Sequence, residues 1–155
     1  MFPISQRVRD LPIEVVVGPA YGAMIAAHLV ASCLNGFGSC YPVAAVFAVK
    51  SGAGFEIRPS MRKYVSGKWA LVIEDVLTTG GSVKRTIEAT IRAGASIIGV
   101  GAICNRGSIQ PEDLGLPQGA LRSLVDLSGL RAYTPAECPM CQAGIPISLE
   151  LGHGS

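Results

Sequence analysis

At 155 residues the chain is long enough to bury one core without disulfides, and we predict a single domain over residues 1–155. Hydrophobic residues make up 49% of the chain and charged residues 15%, which argues against a long disordered tail. The net charge is +2 and no run of like charge is longer than two residues, which argues against nucleic-acid binding and a membrane-surface patch. Five cysteines and no charged-then-apolar leader predict a reducing, cytoplasmic location, and the apolar share favours a subunit interface.

The chain opens with a lead-in and then a first unit of strand, turn and helix. Residues 1–12 have three charged side chains and no clear period. Residues 14–17 form a β-branched run typical of a buried strand, and residues 18–22 are a glycine-rich turn. The apolar stretch 23–34 predicts a helix that is buried on two sides and too short to span a bilayer, with His28 packed in the core.

A basic segment follows the second predicted strand, residues 42–49. Residues 55–57 and 61–65 resemble short strands, so residues 50–68 are predicted to be a projecting basic hairpin or loop that leaves the sheet. Five basic residues outnumber its single acid, and they either neutralise an anion or are simply solvated. They are Lys50, Arg58, Arg62, Lys63 and Lys68.

Residues 70–82 have the outline of a binding site. Four apolar residues suit a buried parallel strand, and Glu74 and Asp75 follow them at the edge where open parallel sheets bind ligands. Taken alone, the two acids are more simply explained as surface residues at a strand end. The hydroxyl- and glycine-rich turn 78–82 that follows opens a helix, where free N–H groups favour a phosphate.

The second half continues the alternation. A helix is predicted over residues 82–93 and strands over 96–103 and 121–127, the last reached through the proline- and glycine-rich segment 108–119. Residues 135–155 have no period and predict an irregular tail. The inner face of the helix comprises Val83, Thr86, Ile87, Thr90 and Ile91.

This alternation predicts an α/β fold, with a mostly parallel sheet flanked by helices. The chain contains neither the Gly-Lys-Ser/Thr of a Walker phosphate loop nor a GxGxxG turn. Ordinary nucleotide-binding folds are therefore disfavoured.

Residues 72–82 closely resemble the phosphoribosyl-pyrophosphate (PRPP) motif of the type I phosphoribosyltransferases, an apolar strand with two acids and Thr-Thr-Gly-Gly-Ser. Residues 18–22 are similar to the pyrophosphate loop of the orotate phosphoribosyltransferase branch. Residues 104–107 resemble the strand end of that branch that carries a base-contacting arginine. The resemblance covers roughly residues 13–147 and includes the Cys-Pro-Met-Cys tail.

The resemblance implies transfer of a phosphoribosyl group from PRPP to a base, most closely orotate, with the protein supplying positioning and charge stabilisation. It implies that Thr78 and Arg106 hold the base, because a forked guanidinium suits a carboxylate. Mg²⁺ would be held mainly by PRPP, with no metal ligands assigned to the protein. The PRPP-binding residues implied are Glu74, Asp75, Val76, Leu77, Thr78, Thr79, Gly80, Gly81 and Ser82; the pyrophosphate loop is Pro19, Ala20, Tyr21 and Gly22; and the catalytic candidates for the leaving pyrophosphate are Lys50, Arg58, Arg62 and Lys63.

Two departures from the family pattern keep other hypotheses open. Orotate enzymes generally carry a hood segment before the first strand, where this sequence has only residues 1–12. The mobile loop of the family contains a histidine and often contributes to the active site of the other subunit in a dimer, but residues 50–68 contain no histidine. The first hypothesis is a homodimeric enzyme that makes orotidine 5′-monophosphate. The alternatives are a catalytically degenerate PRPP- or nucleotide-binding regulatory protein of the same fold, or a purine-type phosphoribosyltransferase.

Cys138 and Cys141 have the spacing of half a zinc site. A structural zinc site needs four ligands, and the sequence has no second such pair. The sequence therefore favours neither a metal nor a redox pair here.

Overall fold

The computed structural model describes residues 3–36, 42–52, 54–127, 130, 133–134 and 136–146. The elements in chain order are α1 (Pro3–Val8), β1 (Val15–Pro19), α2 (Gly22–Gly36), β2 (Ala44–Ser51), β3 (Gly54–Ile57), a 3₁₀ helix (Pro59–Tyr64), β4 (Trp69–Leu77), α3 (Gly81–Arg92), β5 (Ser96–Asn105), a second 3₁₀ helix (Pro111–Leu114), β6 (Leu121–Asp126) and α4 (Pro139–Gln142).

Six strands form one sheet in the order β3-β2-β1-β4-β5-β6, and among these strands only β2 and β3 pair antiparallel. The predicted mostly parallel sheet flanked by helices is confirmed. Strands covered on both faces need continuous apolar runs, and residues 15–17 and 70–73 are fully buried. Val16 and Leu71 face α1 and α2, whereas Val15 and Val17 face α3.

The predicted lead-in, residues 1–12, contains helix α1, an element that the sequence analysis did not predict. Ile4 and Val8 are four residues apart, which puts them on one helical face, and both are fully buried against the sheet. Gly101 leaves room for this packing, because a Cβ there would lie 2.6 Å from Ile73 Cδ1 and 3.4 Å from Ile4 Cγ1. A six-residue helix is too short to show a period in the sequence.

Helix α2 packs on the sheet by one face, not by two. Ile25 is 72% exposed and His28 is also exposed, so the prediction of a core histidine is wrong. The packed face consists of small residues, which let the helix approach the sheet closely. They are Ala23, Ala26, Ala27 and Ala31, together with Val30 and Leu34. The helix continues to Gly36, two residues beyond the predicted stretch.

The basic segment does not leave the sheet as a hairpin. The predicted strand at residues 55–57 is confirmed as β3, but it extends the sheet by pairing with β2. The predicted strand at residues 61–65 is wrong, because most of it lies in the first 3₁₀ helix. Pro59 begins that helix, where its fixed φ and missing N–H suit a helical turn better than strand pairing.

The later elements agree with the predictions except in three places. In α3 (Gly81–Arg92), Ile91 is 54% exposed although Val83 and Ile87 are buried. The predicted loop 108–119 contains the second 3₁₀ helix, and the predicted irregular tail contains α4. The rest of the tail, 147–155, lies outside the described residues.

The single-domain assignment stays a prediction. Within the described chain, no helix has the length and apolarity that crossing a bilayer requires.

Candidate functional site

The two adjacent acids lie within strand β4, which continues beyond its apolar core to Leu77. Successive side chains of a strand point to opposite faces, so Glu74 lies on the α3 face and Asp75 on the α2 face. Glu74 is 5% exposed and Asp75 is half-buried. The Asp75 N–H donates to Glu74 Oε1 at 3.2 Å, and the Val76 N–H donates to Asp75 Oδ1 at 2.8 Å. One strand therefore presents a carboxyl group to each face.

On the α2 face, Asp75 meets the turn that follows β1. β1 and β4 are parallel neighbours with Val17 opposite Val72. Three residues further along both strands, this register places the turn 20–22 beside Asp75. A Cβ at Gly22 would lie 2.5 Å from Asp75 Oδ2, so a larger residue there would displace the Asp75 carboxylate. The peptide bond between Ala20 and Tyr21 is cis, and the Tyr21 side chain is 89% exposed. The turn thus presents backbone, not side chain, to the acid.

On the α3 face, the turn between β4 and α3 forms a cavity of about 130 Å³, lined by Glu74, residues 76–83 and Arg85. Gly80 precedes α3 with a φ of +73°, a conformation that favours glycine. The first N–H groups of a helix have no partner within the helix and favour an anion. The cavity is therefore suited to a phosphate group with Glu74 at its side.

Arg85 lines the same cavity, and the sequence analysis missed it. Its Nη1 and Nη2 lie 3.8 and 3.9 Å from where a Cβ on Gly81 would be, and its Cζ lies 5.9 Å from the centre of the Phe55 ring. Helical side chains lean towards the helix N-terminus. A cation in the second turn of α3 was the signal that could have identified it.

Burial raises the pKa of Glu74 to about 8, and the charge of the neighbouring Asp75 carboxylate adds to the rise. At neutral pH the Glu74 carboxyl is therefore mostly protonated. A protonated carboxyl donates a hydrogen bond as well as accepting one.

We expect Glu74 to make the unliganded protein less stable as the pH rises. The unfolded carboxyl ionises near 4.5, whereas the folded one keeps its proton up to about 8. Between these values the folded state binds more protons, so the free energy of unfolding falls with pH, by at most about 5 kcal/mol for this group. Glu74→Gln should remove that slope in urea unfolding measured across this window, whereas the exposed Glu56→Gln should keep it. Equal slopes in the wild type and Glu74→Gln would contradict the assignment.

The loop after β5 is anchored on the end of β4. The N–H groups of Arg106 and Gly107 both donate to the Leu77 carbonyl oxygen, each at 2.9 Å. A Cβ at Gly107 would lie 1.6 Å from the Thr78 carbonyl oxygen, so the two backbones are in contact. The structure therefore brings Arg106, whose side chain is exposed, beside Thr78, the other residue predicted to hold a base.

Asn105 braces this loop and was also missed. Its side chain is buried, its Nδ2 donates to the Ile109 carbonyl oxygen at 2.9 Å, and its Oδ1 accepts the Ile109 N–H at 3.0 Å. Asparagine commonly closes loops in this way. Its position just before Arg106, a predicted base-binding residue, was the sequence feature that could have identified it.

The structure does not gather the four basic candidates at one place. Lys50 is exposed near the end of β2, at the edge of the sheet where the two turns lie. β3 then runs back along β2, and the 3₁₀ helix after it leads to Val65, which packs with the first residues of β1 and β4. Arg58, Arg62 and Lys63 therefore lie on the way to the opposite edge.

Among the residues that the structure describes, no group of three or more histidine, cysteine or acidic side chains could hold a metal ion. Glu74 and Asp75 supply the acidic oxygens that lie beside the two turns. Mg²⁺ is commonly bound by one or two carboxylates together with substrate phosphates and water. This pair suits a metal whose other ligands come from a substrate.

Comparisons with known proteins agree on one family. A model described as "Phosphoribosyl transferase domain" matches residues 4–118. An orotate phosphoribosyltransferase from Caldanaerobacter subterraneus subsp. tengcongensis is 38% identical over 152 residues, covering 93% of this chain and 69% of the relative. The structure of Mycobacterium tuberculosis H37Rv orotate phosphoribosyltransferase in complex with PRPP has a TM-score of 0.58 and 27% identity, covering 84% of this chain and 75% of that one. An APRTase from Giardia lamblia complexed with 9-deazaadenine, at 22% identity, has a TM-score of 0.62 over 80% of this chain and 75% of that one, a likeness of fold alone.

Proposed function

The chain belongs to the phosphoribosyltransferase family, and we propose that it transfers the phosphoribosyl group of PRPP to orotate, giving orotidine 5′-monophosphate and pyrophosphate. One observation carries the proposal. The phosphate-sized cavity at residues 78–82, the two acids and the turn at 19–22 converge at one edge of the sheet, in the order in which PRPP presents a phosphate, ribose hydroxyls and a pyrophosphate. The identity of about two fifths to an orotate phosphoribosyltransferase supports the acceptor.

The donor would be bound by groups of three kinds. The 5-phosphate would occupy the cavity before α3, with N–H groups of the turn as donors and Arg85 as the counter-charge. The ribose hydroxyls would bind Asp75 as an acceptor and protonated Glu74 as an acceptor or donor. The pyrophosphate would lie on the backbone of residues 20–22, which Asp75 adjoins.

The reaction breaks the bond between C1 of the ribose and the pyrophosphate oxygen, and a ring nitrogen of orotate takes its place on C1 as it loses its proton to water. Positive charge builds on the ribose as the bond breaks, and the nearby carboxylate stabilises it, while the two turns hold both reactants in line. Arg106 would bind the orotate carboxylate beside Thr78, so the nitrogen faces C1.

Mg²⁺ fits this donor set, because PRPP would supply most of its ligands and the carboxyl oxygens of Asp75 and Glu74 could supply the rest from the protein. When bound, the ion neutralises charge on the leaving pyrophosphate. Lys50 lies at the same edge and would add a cation there. We propose that Arg58, Arg62 and Lys63 contribute only from a second copy in a homodimer, because their own chain carries them towards the opposite edge. The cysteine content supports a cytoplasmic location.

Incubating the purified protein with PRPP, Mg²⁺ and orotate should consume orotate, which is followed by its ultraviolet absorbance. Replacing orotate with adenine tests the purine-type alternative in the same assay. PRPP binding by calorimetry without turnover of either base would overturn the proposal and support the regulatory alternative.

Arg106→Ala should raise the KM for orotate by about 10- to 100-fold, because a charge-assisted hydrogen bond contributes about 1.5–3 kcal/mol. Its KM for PRPP should change much less. Arg85→Ala is the matched control, since it removes the same charge from the phosphate cavity and should raise the KM for PRPP instead. Equal effects of Arg106→Ala on both substrates would remove the assigned role.

A further inference from the structure

Cys138 and Cys141 lie outside the site described above, in an ordered turn. Cys138 is the residue before α4 and Cys141 lies within it. The Gln142 N–H donates to the Cys138 carbonyl oxygen at 3.0 Å, which closes one helical turn around the pair. Residues three apart in such a turn are on the same side, at a Cα separation that a disulfide can span.

The chain before α4 holds this turn in place. The N–H groups of Glu137 and Cys138 both donate to the Thr134 carbonyl oxygen at 3.0 Å, and Gln142 Nε2 donates to the Ala136 carbonyl oxygen at 2.9 Å. Both cysteines are half-buried, so their sulfur atoms are accessible to a small molecule. The turn therefore holds the two thiols close together, where a small disulfide can reach them.

The two thiols are chemically unequal. Backbone N–H of Cys141, the Cys141 thiol and the backbone N–H of Met140 lower the pKa of Cys138. The contact with the Cys138 sulfur in turn raises the pKa of Cys141. Thiolate is the nucleophilic form of cysteine, so Cys138 is the attacking thiol and Cys141 the one that reacts second.

A metal site explains this pair less well. Tetrahedral zinc needs four ligands, and within the described residues no third histidine, cysteine or acid joins these two thiols. The described cysteines Cys33 and Cys104 lie in α2 and at the end of β5. Dithiol chemistry needs only the two sulfur atoms that the turn supplies.

We propose that Cys138 and Cys141 form a redox-active dithiol that low-molecular-weight disulfides convert to an intramolecular disulfide. The Cys138 thiolate attacks one sulfur of glutathione disulfide, the S–S bond breaks, and one glutathione leaves as a thiolate. Cys141 then loses its proton to water and attacks the Cys138 sulfur, which releases the second glutathione. Two electrons pass from the pair to glutathione disulfide, which ends as two glutathione thiols. The proposal is independent of the transferase activity.

The test uses the full chain, incubated with glutathione disulfide, quenched in acid and mapped by peptide mass spectrometry. We expect a disulfide between Cys138 and Cys141, formed about tenfold or more faster than glutathione adds to Cys104. Cys141→Ser should stop at a stable glutathione adduct on Cys138, and circular dichroism checks that it folds. Cys33→Ser is the control and should behave as the wild type. Glutathione spread evenly over the cysteines, or a Cys138 adduct that Cys141 never displaces, would overturn the proposal.

Discussion

Asp75→Asn should weaken PRPP binding by about 10- to 100-fold, because it removes the charge from a hydrogen bond to a ribose hydroxyl, an interaction of about 1.5–3 kcal/mol. The substituted amide oxygen can still accept the Val76 N–H that Asp75 Oδ1 accepts at 2.8 Å, so the strand should keep its conformation. Isothermal titration calorimetry with PRPP measures the affinity, and thermal unfolding checks the fold.

Asp126→Asn is the matched control for this experiment. Asp126 ends β6 at the same edge of the sheet, two strands away, and its carboxylate accepts a hydrogen bond from Ser123 Oγ at 2.8 Å. It loses the same charge without touching the proposed ribose site. Unchanged PRPP affinity in Asp75→Asn, or an equal loss in both variants, would contradict the role given to Asp75.

Gly107→Ala should lower kcat/KM for orotate by about 100-fold, because a misplacement of roughly 1 Å near the reacting groups is enough for such a loss. The added Cβ would lie 1.6 Å from the Thr78 carbonyl oxygen, so the loop that carries Arg106 must move away from the turn that carries Thr78. Stability should fall by only about 1–3 kcal/mol, since the strain is local. Steady-state kinetics and urea unfolding measure the two effects.

Gly36→Ala serves as the control for Gly107→Ala, because a Cβ at Gly36 meets nothing within 4 Å. It should leave kcat/KM unchanged. A Gly107→Ala protein with wild-type kinetics would show that contact between the loop and the turn does not position the base.

The proposed donor site could be outlined from sequence because its parts are contiguous. Strand, acids, turn and helix follow one another over residues 70–82, and the physical preference of each is local. The structure confirms the strand, the turn and the helix start, with β4 reaching further than predicted. The same local reasoning failed for α1 and for residues 61–65, where packing of Ile4 and a proline at the start of a helical turn decided the conformation.

The sequence by itself determined the alternation of strands and helices and the chemistry of residues 70–82. Only the tertiary structure decided which distant residues meet. Strand order and register bring Gly22 against Asp75 and Gly107 against Thr78, and burial under α3 keeps Glu74 protonated at neutral pH. These properties depend on contacts between residues far apart in the chain, and no local pattern encodes such contacts.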